Sequence, residues 1–89
     1  MPKVLEIEKE GYGRYMFVGT GATRQRLWVP DWARWMAQDK DGAWTWFSTK
    51  PAAFVSTWGL DGAAAGRWEP AYRSQIPRRD WESMLYKVS

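Results

Sequence analysis

Tryptophan and arginine residues cluster between residues 24 and 35, and their side chains are the ones best suited to hold a ligand. An indole face can stack on any nucleobase, which is worth about 1–3 kcal/mol per base. A guanidinium can contact a phosphate through two parallel hydrogen bonds. The residues expected to stack are Trp28, Trp32 and Trp35, and those expected to contact phosphate are Arg24, Arg26 and Arg34, with Arg78 and Arg79 as a second choice. The alternative is core packing for each tryptophan and a solvated surface for each arginine.

The chain lacks the residues that catalysis and metal binding most often use. The sequence contains no Cys and no His, which excludes disulfides, thiolate ligands and imidazole acid–base chemistry. The aspartates fall at predicted turns or helix caps, and they are Asp31, Asp39, Asp41, Asp61 and Asp80. Asp39-Lys40-Asp41-Gly42 begins like a calcium loop but lacks the remaining ligands and the closing Glu. We therefore expect a protein that is not an enzyme and that uses no cofactor or metal.

The glycine-rich loop at residues 19–23 does not match a phosphate-binding motif. It lacks the Gly-Lys-Ser/Thr end of a Walker loop and the third glycine of a dinucleotide-binding loop. Residues 11–30 nevertheless carry Arg14, Arg24 and Arg26 with no acidic residue. An anion could bind to the backbone N–H groups of this loop and to two guanidiniums. The alternative is a flexible turn beside a solvated basic face.

Length and composition indicate one small domain, residues 1–89, with a core made of large side chains. The eight Trp, four Tyr and three Phe exceed what such a core encloses, because Trp is rarely buried completely. Some indoles should lie at the surface, in a pocket or in a subunit interface. The net charge of +3 permits an anionic partner. No apolar run reaches the roughly 20 residues of a membrane span, and the N-terminus begins no hydrophobic signal, so we expect a cytosolic protein.

The residue pattern predicts an α+β fold that is mainly β, with a small antiparallel sheet of about four to five strands and a short C-terminal helix docked on it. A hairpin over residues 33–48 should turn at Asp39–Gly42, where Asp-Gly favours a tight reversal. Trp44 and Trp46 share one strand face, and Trp35 is the expected cross-strand partner in an aromatic ladder that is mainly core. Further strands are expected at residues 3–10, 14–18, 52–58 and 67–69, with a loop at 59–66 and an extended stretch at 72–77. Any strand through residues 27–29 should end at Pro30-Asp31.

The C-terminal helix is predicted from apolar spacing. Trp81, Met84, Leu85 and Val88 recur at i, i+3, i+4 and i+7, which is one stripe of a helix. Asp80 is a suitable N-cap residue. Two helical turns are too short to be stable alone, so the helix should form by docking.

Residues 33–89 resemble a class of small Trp-rich bacteriophage and prophage proteins. The shared features are the segment Ala-Arg-Trp-Met-Ala-Gln-Asp-Lys-Asp-Gly-Ala-Trp-Thr-Trp-Phe-Ser-Thr-Lys-Pro, the later Trp58 and the terminal Asp-Trp-Glu-Ser-Met-Leu. The last motif departs by one residue, because Met84 precedes Leu85. The resemblance implies an accessory protein that acts on the host, commonly against a defence system. It leaves residues 1–32 uncovered. It also implies that the shared motif residues are scaffold, namely Asp41, Gly42, Trp44, Trp46, Trp58 and Trp81.

Two functions are consistent with these features. The first is a non-catalytic protein of the host cytoplasm that sequesters a nucleotide-type immune signal, as a homo-oligomer whose interface deepens the pocket. The second is a protein–protein inhibitor of a host defence protein, because Trp, Tyr and Arg dominate interface hot spots. DNA mimicry is disfavoured because the surface is not strongly acidic. Long single-stranded nucleic acid is disfavoured by the low net charge and scattered basic residues.

Overall fold

The fold is mainly β and consists of three sheets. A computed structural model describes residues 3–5, 7–11, 13–19, 21–60, 66–73 and 79–88. Two 3-10 turns, at Gly21–Thr23 and Trp81–Ser83, are the only helical segments among these residues. The strands are β1 (Lys3–Leu5), β2 (Glu8–Glu10), β3 (Gly13–Val18), β4 (Gln25–Val29), β5 (Trp35–Gln38), β6 (Ala43–Phe47), β7 (Ala52–Ala53), β8 (Trp58–Gly59), β9 (Trp68–Arg73) and β10 (Leu85–Val88).

The largest sheet has five strands in the order β1-β10-β5-β6-β9. Its centre is the β5–β6 hairpin, which turns at Asp39–Gly42 as predicted. Gly42 has φ +97°, a value that residues with a side chain rarely adopt, and its N–H donates to the Asp39 carbonyl at 3.0 Å. Every strand pair in this sheet is antiparallel except β1–β10, which is parallel. The predicted hairpin is confirmed, whereas the sheet is not purely antiparallel.

The predicted aromatic ladder between Trp35 and Trp46 is wrong. Trp35 lies opposite Phe47, whereas Trp46 lies opposite Met36. Directly opposed residues share a sheet face, and successive residues alternate. Trp35 and Phe47 therefore lie on the face opposite to that of Trp46.

A second sheet contains β2, β3 and β4 in that order. The single strand predicted over residues 3–10 is therefore wrong, because β1 joins the five-stranded sheet and β2 joins this one. Strand β4 ends at Val29, where Pro30 has no N–H to donate to a ladder. A tight turn follows, in which the Ala33 N–H donates to the Pro30 carbonyl at 3.0 Å. The third sheet is the short β7–β8 hairpin.

The core lies between the three-stranded and the five-stranded sheets. Met16 and Leu27 lie opposite each other in the first sheet and pack on a cluster that includes Met36 and Trp46 of the second. The buried members of this cluster are Val29, Ala33, Met36, Trp46 and Val88. Inward-facing residues of the two sheets thus form the core, as in a β-sandwich.

The predicted C-terminal helix is wrong. Only Trp81–Ser83 forms a 3-10 turn, which the Asp80 side chain does not cap, and the chain then enters β10. Met84 and Val88 are buried at even spacing, so the apolar pattern fits a strand as well as a helix. Strands β1 and β5 pair with β10 on its two sides. These ladders satisfy backbone groups that a two-turn helix leaves unpaired at its ends.

Strand β9 continues through Pro70, where the sequence predicts a strand end. Pro70 lies opposite Thr45, beside a register shift between Trp44 and Thr45. Proline is tolerated there because β9 is an edge strand, on which a missing N–H costs no ladder bond. The loop predicted at 59–66 and the extended stretch at 72–77 lie partly outside the described residues. In the described part of the chain, no helix is long and apolar enough to span a membrane.

Candidate functional site

The β3–β4 hairpin gathers aromatic and arginine side chains on one face. Tyr15 lies opposite Trp28, and Phe17 lies opposite Arg26. Because opposed residues share a face, all four project from the same side of the three-stranded sheet. The intervening Met16 and Leu27 pack towards the core. The outer face of the hairpin therefore consists of Gly13, Tyr15, Phe17, Arg24, Arg26 and Trp28.

Tyr15 is at the centre of the aromatic contacts on this outer face. Its ring lies 5.7 Å from Phe17 with an interplanar angle of 87°, and 5.5 Å from Trp28 with an angle of 70°. Edge-to-face geometry of this kind is favoured by the ring quadrupoles and contributes about 0.5–1.5 kcal/mol per pair. Phe17 and Trp28 are 42% and 53% exposed. The outer face thus presents ordered aromatic rings to solvent.

Two guanidiniums lie over these rings. The Arg24 Cζ is 4.0 Å from the Phe17 ring centre, and the Arg26 Cζ is 4.3 Å from that of Tyr15. Arg26 also lies 5.6 Å from the Trp28 ring centre. A stacked guanidinium keeps its N–H groups in its own plane, so stacking is compatible with hydrogen bonding to an anion. Positive charge and aromatic surface therefore occur side by side.

The Trp28 indole packs closely against the strand backbone at Gly13. A Cβ atom built at Gly13 would be 2.6 Å from Trp28 Cζ3 and 3.0 Å from Cε3. Only glycine leaves room for this approach of ring to backbone. The benzene ring of the indole thus contacts the chain at Gly13, while about half of the residue remains exposed. The arrangement fixes a flat apolar platform on the sheet.

Three of the six predicted site residues meet on this face, namely Arg24, Arg26 and Trp28. Arg26 and Trp28 alternate along β4, and Arg24 lies directly before that strand with its guanidinium over Phe17. The other three lie beyond the Pro30 turn, and no described contact joins them to the outer face. They are Trp32, Trp35 and Arg34.

Each of these three residues has a separate local environment. Trp32 is half-buried against the core, with the Arg67 Cζ 4.6 Å from its ring centre. Arg34 donates hydrogen bonds to the Asp31 carbonyl at 2.7 Å and the Ala33 carbonyl at 3.1 Å. Trp35 is half-buried on β5 with Lys50 Nζ 5.6 Å from its ring centre. Of the second-choice residues, Arg79 is exposed and Arg78 lies outside the described residues.

Tyr15 and Phe17 complete the site and were missed by the sequence analysis. The two residues alternate along β3, as Arg26 and Trp28 do along β4. Pairing the predicted strand 14–18 with 27–29 across the glycine-rich loop brings both residues next to Trp28. That loop contains the Gly21–Thr23 turn, in which the Arg24 N–H donates to the Gly21 carbonyl at 3.2 Å.

Arg14 belongs to the scaffold and not to the outer face. Its position in β3 is opposite Val29, one of the buried core residues. The guanidinium donates hydrogen bonds to the Pro30 carbonyl at 2.8 Å and the Asp31 carbonyl at 3.2 Å. Arg14 thus holds the turn that leads from the three-stranded sheet to the five-stranded sheet.

Acidic side chains are dispersed over the described residues, among which no group of three could hold a metal ion. No family model, curated protein or solved structure matches the chain.

Proposed function

We propose that the protein binds a nucleotide on the outer face of the β3–β4 hairpin, without chemically altering it. The observation that carries the proposal is the Trp28 indole, which is held against Gly13 and still 53% exposed. A base stacking on this ring meets a side chain that Tyr15 and Arg26 already contact. Less entropy is then lost on binding, which raises affinity.

Arg24 and Arg26 supply the positive charge that a nucleotide phosphate requires. Their guanidiniums lie over Phe17 and Tyr15, so both charges are on the same face as the Trp28 platform. The Arg26 guanidinium lies near both Tyr15 and Trp28, and Arg24 extends the positive surface towards the loop. A base on Trp28 and a phosphate near these two arginines fit one ligand.

The open geometry of the outer face suits a homo-oligomer. A sheet face covers one side of a base, whereas ligand pockets bury about 70–90% of a small ligand. A second copy related by two-fold symmetry would cover the other side with the same residues. Sequestration of a nucleotide signal requires tight binding without turnover, and a symmetric enclosed site would provide it.

The alternative function is inhibition of a host defence protein through the same face. Phe17 and Trp28 form an exposed apolar surface bordered by arginine, and Trp and Arg are enriched among interface hot spots. The two functions predict different ligands for one set of residues. A nucleotide would quench Trp28 fluorescence directly, whereas a protein partner would bury Phe17 and Trp28 together.

The first experiment is to purify the protein, denature it, and remove it by filtration. The filtrate is then examined for a released molecule that absorbs in the nucleobase band. The second is fluorescence titration with a panel of linear and cyclic nucleotides. Trp28→Ala should abolish the quenching. Trp68→Ala is the matched control, because Trp68 is 59% exposed on β9 of the other sheet. A clean filtrate with no response to the panel, or equal binding by both variants, would refute nucleotide capture and favour the protein partner.

A further inference from the structure

A groove of about 370 Å³ lies on the opposite face of the five-stranded sheet. Thr45 and Phe47 belong to the face of β6 that points away from Trp46 and the core between the sheets. The β7–β8 segment lies over this face and contributes Trp58 to the groove. The complete lining is Asp39, Thr45, Phe47, Thr57, Trp58, Gly59, Leu60 and Trp68.

One aromatic wall of this groove, Trp58, is held in place by specific contacts. Trp58 Nε1 donates a hydrogen bond to the Trp81 carbonyl at 3.1 Å, and the two rings meet edge to face at 6.1 Å. Phe47 is only 2% exposed. Trp68 lies opposite Phe47 on β9 and is 59% exposed. The groove therefore combines fixed apolar residues with one accessible indole.

Asp39 is the one acidic residue in the lining. Its Oδ1 accepts a hydrogen bond from the Trp58 backbone N–H at 2.7 Å, which fixes the carboxyl group at the groove. Among the described residues, no cation lies within ion-pair distance of Asp39. The nearby Arg73 pairs with Asp41 at 3.4 Å. The pKa of Asp39 is raised above its ordinary value, mainly by burial of the carboxyl group. The negative charge of Asp41 also raises this pKa, whereas the hydrogen bond from the Trp58 N–H and the positive charge of Arg73 lower it.

We propose that this groove binds an organic ammonium cation, with Asp39 as the counter-charge and Trp58 and Trp68 as aromatic walls. Indole is the best of the aromatic side chains for cation–π contact, and quaternary ammonium groups are bound by cages of this kind. A carboxylate beside the rings adds charge pairing. An anion would be repelled by Asp39, and a neutral apolar ligand would leave the carboxylate without a counter-charge.

This site is independent of the proposed nucleotide site. The two share no residue, and they lie on opposite sides of the core that Trp46 helps to form. Loss of either activity therefore leaves the other measurable. The assignment of the groove would stand even if the outer face of the β3–β4 hairpin bound no nucleotide.

The test uses choline and its uncharged carbon analogue, 3,3-dimethyl-1-butanol, which have the same shape. Each is titrated into the full-length protein while the indole N–H resonances are followed by NMR. We expect choline to shift the Trp58 and Trp68 resonances saturably and to leave that of Trp28 unchanged. The uncharged analogue should bind about tenfold more weakly. Equal binding of the two compounds would overturn the proposal, as would no saturable shift with choline.

Two variants localise the charge and the aromatic wall. Asp39→Asn preserves side-chain shape and the oxygen that accepts from Trp58, so a folded variant with about tenfold weaker choline binding supports the counter-charge. Trp68→Ala should weaken binding, whereas Trp28→Ala should not. Unchanged choline affinity in Asp39→Asn would overturn the role of Asp39.

The pH dependence provides a readout that a merely structural role of Asp39 would not produce. Choline keeps its charge at every pH, so changes in its binding report on the protein alone. Binding should strengthen as pH rises and Asp39 ionises, then level off. Asp41 and Arg73 are the other charged groups that act on Asp39. Asp41→Asn should retain the pH dependence and Asp39→Asn should lose it, and the reverse result would contradict the assignment.

Discussion

The Trp28 indole lies so close to Gly13 that a methyl group at Gly13 would approach Trp28 Cζ3 to 2.6 Å. Gly13 is not among the glycines with positive φ, so alanine is compatible with its backbone. The close approach of the ring therefore depends on the missing side chain at Gly13 and not on a strained backbone. It links the conformation of Trp28 to a single backbone position on the neighbouring strand.

We predict that Gly13→Ala displaces the indole while the fold is retained. Trp28 is exposed and can rotate away from the new methyl group, so the free energy of unfolding should change by less than about 1 kcal/mol. Near-UV circular dichroism should change, and nucleotide affinity should fall because the platform is no longer held. Urea unfolding and fluorescence titration measure the two effects. A loss of several kcal/mol would instead show that Trp28 is part of the core.

The second prediction separates a surface tryptophan from a core tryptophan. Trp46 is 2% exposed, and Trp46→Ala should lower the free energy of unfolding by about 3–5 kcal/mol through lost contacts and a cavity. Trp28→Ala removes an edge contact with Tyr15 and should cost about 1 kcal/mol. Denaturation of both variants in urea gives the comparison. Similar losses for the two would contradict the placement of Trp28 on the outer face.

The third prediction concerns two arginines from the same acid-free segment. Arg14→Ala should cost about 1.5–3 kcal/mol of stability, because charge-assisted hydrogen bonds to the Pro30 and Asp31 carbonyls are lost. Arg24→Ala removes a cation–π contact with Phe17 and should cost about 1 kcal/mol or less. Nucleotide affinity should fall more in Arg24→Ala than in Arg14→Ala. The measurements are thermal unfolding of both variants and titration with the tightest-binding nucleotide of the panel.

Local chemistry made the β5–β6 hairpin predictable. Asp39–Gly42 forms the turn because its glycine takes a positive φ and the Asp41 side chain accepts from the Ala43 N–H at 3.1 Å. The predicted sheet face of Trp35 was wrong, because a register offset of one residue moves a side chain to the other side of the sheet. Turn residues determine where the chain reverses, whereas the register also depends on what packs against each face.

The C-terminal strand shows why apolar spacing alone was insufficient. Met84 and Val88 are four residues apart, which fits both one helix face and one strand face. The choice depended on β1 and β5, whose open edges accept β10 between them. These partners are distant in sequence, so tertiary pairing determined the local structure.

Half of the residues predicted for the candidate site meet on the outer face, and strand pairing again explains which ones. Arg26 and Trp28 alternate along β4, so the period of two brings them to one face, and Arg24 directly precedes this strand. Trp32 lies beyond Pro30, after which the chain enters the other sheet. Tyr15 became a neighbour of Trp28 only through cross-strand pairing, which spacing within a single strand does not specify.

The fourth prediction is that Asp39→Asn stabilises the protein at neutral pH. The pKa of Asp39 is raised above its ordinary value of 3.8, first by burial, so the folded state binds the proton more tightly than the unfolded state. Stability from this group is therefore present at low pH and is lost as pH rises from about 3.8 through the folded-state pKa. Asparagine has no charge to bury and can still accept the hydrogen bond from the Trp58 N–H.

Urea unfolding of wild type and Asp39→Asn across the acid range tests this prediction. The variant should be the more stable at neutral pH, and the difference should shrink as Asp39 becomes protonated. Asp41→Asn is the control, because it removes a neighbouring carboxylate that pairs with Arg73 at the surface and leaves Asp39 to titrate. If wild type gained stability relative to Asp39→Asn between acidic and neutral pH, the carboxylate would be stabilised by the fold. Asp39 would then already be compensated and would have no need of a bound cation.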